Sequence, residues 1–107
     1  MFAEVKEALP VSGDAYDAQI IREIKACALD LTTSAEITLP GTISILRNAE
    51  TGVITDTSTL TDELIITAIA TWCAMRIGNP PNYDRLLAAY ESLKGQLRLS
   101  STYTDFD

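Results

Sequence analysis

Residues 64–77, LIITAIATWCAMRI, are apolar on nearly every side of a helix, and Gly78, Asn79, Pro80 and Pro81 follow at once. At about 1.5 Å per residue the run covers about 21 Å, short of the roughly 30 Å hydrocarbon core of a bilayer, and Arg76 interrupts it. A helix that is apolar all round and does not span a membrane has to be enclosed by protein. Its cover must come from the rest of the 107 residues or, on one side, from a neighbouring subunit. Thr59 or Thr61 can start this helix, with Asp62 and Glu63 in its first turn, and Gly78 suits its C-terminal stop. Trp72, at its middle, is expected to anchor the core.

Three further helices can supply the cover. MFAEVKEALPV opens the chain with a short one, on which Phe2, Val5 and Leu9 share a face before Pro10 ends it. SGDAYDAQIIREIKACALDLTTSA follows. Ser12 or Asp14 can cap it, Asp14 and Asp17 suit the positive end of its dipole, and Ile20, Ile24, Cys27, Ala28 and Leu31 form an apolar stripe with Ile21 beside it. After the double proline, Asn82 can cap a last helix striped with Tyr83, Leu86, Leu87, Tyr90, Leu93 and Leu97. So short a connection makes the last two helices packed neighbours.

Between the second and third helices, residues 36–58 (EITLPGTISILRNAETGVITDTS) change character to Thr and Ile. Two β-branched runs, 42–46 and 53–57, flank a turn at 48–52 and predict a short hairpin. A lone two-stranded ribbon is marginal in water, so this one must lean on the helices or on another molecule. The fold class expected is mainly α: one small bundle of about four helices over residues 1–99, with a hairpin insert at 36–58 and a polar tail at 100–107.

The chemistry is sparse. With no histidine and only two cysteines, Cys27 and Cys73, far apart and outside any CxxC, neither a metal site nor a cofactor site is expected, and both thiols read as core residues. Nucleophilic catalysis lacks its usual base. The acidic pairs Asp14/Asp17 and Asp62/Glu63 stand at helix starts, where capping accounts for them, and no glycine-rich phosphate loop occurs. No enzyme is expected. Eight basic residues against fifteen acidic ones, a net charge of −7, leave no basic cluster to neutralise a nucleic-acid backbone. Arg22, Lys25 and Arg47 could make only a small basic spot. The N-terminal residues do not read as a secretory signal, so the expected place of synthesis is the cytosol.

The order of a short FAEVKEAL helix, a longer DAYDAQIIREIKACALDL helix, a variable middle and DELIITAIATWCAMRIGNPPNYDRLLAAYESLKGQLRLS resembles the small head–tail connector proteins of tailed bacteriophages, often labelled DNA packaging proteins. The likeness covers about three quarters of the chain. Most of it lies in the second half: Leu64 and Ile65 after an acidic start, the core from Ala68 to Trp72, the stripe Tyr83, Leu86, Leu87 and Tyr90, ESLKGQL, and a Ser-rich end with Tyr103. It departs from the pattern at 36–58, where shorter relatives have little more than a loop.

The resemblance implies a structural subunit of a homo-oligomeric ring, a dodecamer in the virion, assembled in the host cytoplasm. Such a ring docks under the portal protein, extends the DNA channel and offers the next head-completion or tail protein a surface. DNA passes through it without specific binding, as an acidic wall would favour, and no membrane is involved. Rings need head-to-tail contacts between unlike faces. The candidate assembly contacts are Tyr103, Asp105, Phe106 and Asp107 in the tail and Ile43, Ile45 and Ile54 in the insert. A small all-α regulatory or scaffolding module that binds one partner protein is the alternative.

Overall fold

In a computed structural model that describes residues 1–77 and 80–100, the chain forms α1 (Phe2–Glu7), α2 (Asp17–Thr33), β1 (Ile45–Arg47), β2 (Ile54–Asp56), α3 (Glu63–Arg76) and α4 (Tyr83–Leu99). The result is a four-helix bundle with an antiparallel two-stranded hairpin between the second and third helices, the architecture the sequence implies.

α3 is the centre. It packs against α4, α2 and α1, and Ile65, Ala68, Ile69 and Cys73 are fully buried. Only Glu63, Thr67 and Arg76 along it are exposed. Its start is set by Asp62, whose carboxylate accepts the Ile65 amide at 3.0 Å, so Asp62 is the cap rather than a first-turn residue. Gly78, the expected stop, lies outside the described residues.

α2 turns Ile20, Ile24, Cys27 and Leu31 into the core as its periodicity implies. Its start differs from expectation. Neither Ser12 nor Asp14 caps it through a side chain; Tyr16 holds the cap position, and the Asp14 carbonyl accepts the Asp17 amide at 3.2 Å. Asp17 instead accepts an ion-paired hydrogen bond from Lys6 at 2.6 Å and is nearly buried. That pair, with a further bond from Lys6 to the Gly13 carbonyl, ties α1 to α2. A buried carboxylate is tolerated here because its partner is present.

On α4, Tyr90 and Leu97 are buried and Leu86 and Leu93 pack against the core, while Tyr83 and Leu87 are largely outside. Trp72 corrects the sequence expectation: it is only partly buried, at the edge of the core, and the large aromatic at the centre is Tyr90. The two rings meet edge to face at 5.3 Å.

The hairpin pairs Ile45 with Asp56, Leu46 with Thr55 and Arg47 with Ile54. Its turn is closed by Asn48, whose side chain accepts the Glu50 and Thr51 amides at 2.9 and 3.1 Å, and by Gly52, which donates to the Asn48 carbonyl from a left-handed φ of 76°. At its base the Thr59 and Leu60 amides both donate to the Thr42 carbonyl. Gly41 lies so close to this junction that a Cβ there would fall 2.7 Å from Leu60 Cα.

The contrast between two glycines gives a test. Gly41→Ala must displace backbone and should cost roughly 1–3 kcal/mol. Gly95, mid-way along α4, has nothing within 4 Å of the position of a Cβ, so Gly95→Ala should gain about 0.5–1 kcal/mol. Thermal denaturation of both variants checks the pair; equal melting temperatures would contradict this packing.

Candidate functional site

Polar side chains cluster first where α2, α3 and α4 meet. The Tyr90 hydroxyl donates to Asp30 at 2.6 Å, Lys94 reaches the same carboxylate at 3.3 Å, and the Cys27 thiol lies 3.7 Å from the hydroxyl as a weak donor. Alongside, the Trp72 indole N–H donates to Glu23 at 3.1 Å, and the Arg76 guanidinium stacks over the Trp72 ring at 4.3 Å. Burial pushes the Cys27 thiol up to about 12, and burial likewise pushes Cys73 to about 12. Tyr90 is raised well above the usual phenol range by burial and by its bond to Asp30. All three groups are therefore protonated at neutral pH, and none is an ionised nucleophile. Among the described residues no buried polar side-chain atom lacks a partner, and no group of metal-ligating side chains occurs. The cluster is a set of completed bonds that locks three helices together.

A second polar junction joins the hairpin to the first helix. Asp56, on β2, accepts the Phe2 amide at 2.8 Å and pairs with the Met1 ammonium at 3.1 Å. It therefore caps α1 across 54 residues of chain. Partial burial alone would raise this carboxyl, but the bonds from Phe2, Ser58 and Met1 outweigh it and hold the group well below the usual carboxylate range.

The remaining surface features are apolar. Ile43, Ile45 and Ile54, expected as assembly contacts, belong to the chain's own core: Ile45 is fully buried, and the other two pack against the cluster. A strand shows alternate residues to opposite faces. The face of the hairpin that looks outward is therefore the Leu46 and Val53 face, with Leu46 67% and Val53 60% exposed. Together with Thr55 and Arg47 these two line a hollow on the outer surface. Separately, α1, α3 and α4 flank a groove of about 320 Å³, lined by Ala8, Ile66, Ala70, Ala74 and Leu86, with Glu4 the only charged lining residue among the described residues. Leu99 stands 90% exposed at the end of α4, beside Arg98. Arg22, Lys25 and Arg47 are each exposed. Tyr103, Asp105, Phe106 and Asp107 lie outside the described residues.

Leu46 and Val53 had a signal in the sequence. TISIL ends in two adjacent apolar residues, so one of them had to point away from the core. The groove had none, since it depends on how three helices are spaced. The candidate functional site is thus a pair of unlike apolar surfaces, the outer face of the hairpin and the α1/α3/α4 groove. No helix among the described residues is long and apolar enough to cross a membrane. No protein-family model matches the chain, and neither a curated protein nor a solved structure matches it.

Two tests follow from the junctions. Tyr90→Phe keeps the buried ring but removes a donor to a carboxylate, and should cost roughly 1–3 kcal/mol; Trp72→Phe, at the edge, should cost under about 1 kcal/mol. Chemical denaturation orders the two, and the reverse order would contradict the placement of the rings. Because the folded state holds Asp56 well below the usual carboxylate range, its contribution is fully present above about pH 4. It is lost as pH falls from there through the folded-state value. Melting temperature measured across this acid range should fall more steeply for the native chain than for Asp56→Asn; parallel curves would remove Asp56 from the account.

Proposed function

We propose that this chain is a structural subunit of the head–tail connector of a tailed bacteriophage, a ring that docks under the portal, extends the DNA channel and receives the next head-completion or tail protein. The observation that carries the reading is that one monomer bears two unlike apolar surfaces, the outward face of the hairpin and the α1/α3/α4 groove. Closed rings require this pairing of different faces. The helix order on which the resemblance rests is also the order in the fold.

Charge supports the same role. A net charge of −7 gives a channel wall that repels phosphate instead of gripping it. Tyr103 and Phe106, with Asp105 and Asp107, would serve as contacts to the portal or tail protein. The site of action would then be the virion, after assembly in the host cytoplasm.

Negative-stain imaging of the concentrated protein tests the proposal. Rings with an open lumen are the expected result, together with no gel shift of duplex or single-stranded DNA at low salt. Compact monomers or dimers would favour the small partner-binding module instead, and salt-sensitive DNA binding would overturn the passive channel.

A further inference from the structure

The hairpin poses a question that its own packing does not answer. One of its faces is used up: Ile45 and Ile54 go into the core and Asp56 caps α1. The other carries Leu46 and Val53, both more than half exposed; Leu46 pairs with Thr55, and Val53, two residues before Thr55, is its diagonal neighbour on that face. Scattered exposed apolar residues need no explanation, but two large aliphatics on one face of a short ribbon form a compact anchor.

A receptor of matching chemistry exists on the same molecule. The groove floored by Ala8, Ile66, Ala70, Ala74 and Leu86 has about 320 Å³ of free space. That is room for about ten waters at liquid density, or for a leucine and a valine together. The charges at the two places have opposite signs. Among the described residues Arg47 is the only charged one lining the hairpin hollow, and it makes no ion pair with any of them. Among the described residues Glu4 is the only charged one lining the groove, and its side chain is 61% exposed, with one oxygen on the Met1 ammonium. Two copies of a chain of net charge −7 repel each other at long range, so a contact between copies gains most where one of the few cations meets a carboxylate.

We propose that the hairpin of one copy seats in the α1/α3/α4 groove of the next, with Leu46 and Val53 on the apolar floor and Arg47 beside Glu4. The contact is head-to-tail, because each copy offers a hairpin at one place and a groove at another, and it leaves a free hairpin and a free groove after every addition. It goes beyond the ring reading without requiring it: an open filament would use the same contact.

Cysteine trapping tests the contact separately from ring closure. The native Cys27 and Cys73 are buried and held protonated, so they stay silent. Leu46→Cys places a thiol on the hairpin, Thr67→Cys places one at the exposed rim of the groove, and Ala89→Cys on the outer side of α4 is the control. The proteins are concentrated to about the millimolar range, where contacts with dissociation constants of about 1 mM are populated. Under mild oxidant an equimolar mixture of Leu46→Cys and Thr67→Cys should give a disulfide-linked heterodimer faster than Leu46→Cys with Ala89→Cys. One chain carrying both Leu46→Cys and Thr67→Cys should give a ladder of higher oligomers. Adding Arg47→Glu to the hairpin chain should slow trapping about threefold, and Glu4→Lys in the groove chain should restore it. Rates no higher than the control, or Leu46→Cys alone dimerising as fast as the mixture, would overturn the proposal, the latter by showing a symmetric hairpin-to-hairpin contact. Far-ultraviolet circular dichroism of each variant confirms that the fold is kept.

Discussion

The enclosure of α3 is the constraint on which the rest depends. A helix with Leu64, Ile65, Ile66, Ile69, Trp72, Cys73 and Met75 distributed around its axis has little solvent face to offer, and only Glu63, Thr67 and Arg76 along it are exposed. Every other helix is arranged to remove part of that surface from water, at roughly 25 cal/mol per Å² of apolar area. α1, of only six residues, is too short to be stable alone. It persists because Phe2 and Val5 pack into the core, Lys6 pairs with Asp17, and Asp56 supplies the missing cap.

Polar ties then choose one arrangement among the many that would satisfy burial alone. Tyr90, Asp30 and Lys94 link α4 to α2, Trp72 and Glu23 link α3 to α2, and Lys6 and Asp17 link α1 to α2. The ties at the buried groups, Tyr90 to Asp30 and Lys6 to Asp17, would be costly if half were missing, since an unpartnered buried group loses its water and gains nothing in return. The hairpin is the element least committed to this scheme. It contributes Ile45, Ile54 and Asp56 inward and leaves the opposite face open, which is how a segment can be part of the fold and remain available to a neighbour.

Periodicity made the helices legible, because amphipathic stripes such as Ile20, Ile24, Cys27 and Leu31 specify both the element and its buried face. The Asn48 to Gly52 turn made the hairpin legible for a similar local reason. Where a pattern was saturated, it stopped being informative. α3 is apolar on nearly every side, so its pattern did not mark Trp72 as peripheral and the Tyr90 ring as central. Ile45 and Leu46 are both apolar, so alternation alone left the inward face of β1 open, and a one-residue difference exchanges core for surface. The partners of Asp17 and Asp56 were illegible because each is decided by tertiary packing: Asp17 sits where a dipole-complementing acid belongs, and Asp56 sits in a strand. Of the candidate surfaces only the insert was anticipated, and the residues expected there, Ile43, Ile45 and Ile54, turn inward while Leu46 and Val53 are the exposed ones. The groove opposite it arises only once α1, α3 and α4 are spaced by their own side chains.

Native-state hydrogen exchange tests most directly the central claim that α3 is the enclosed post and the hairpin a subordinate ribbon. At dilute protein concentration and in mild denaturant, amides of α3 should exchange last, with the free energy of global unfolding, while amides across the ladder, such as Asn48 to Val53 and Thr57 to Ser44, should exchange through a smaller local opening. If the hairpin amides were protected as strongly as those of α3, or if α3 opened before α2 and α4, the order of dependence described for this fold would be wrong.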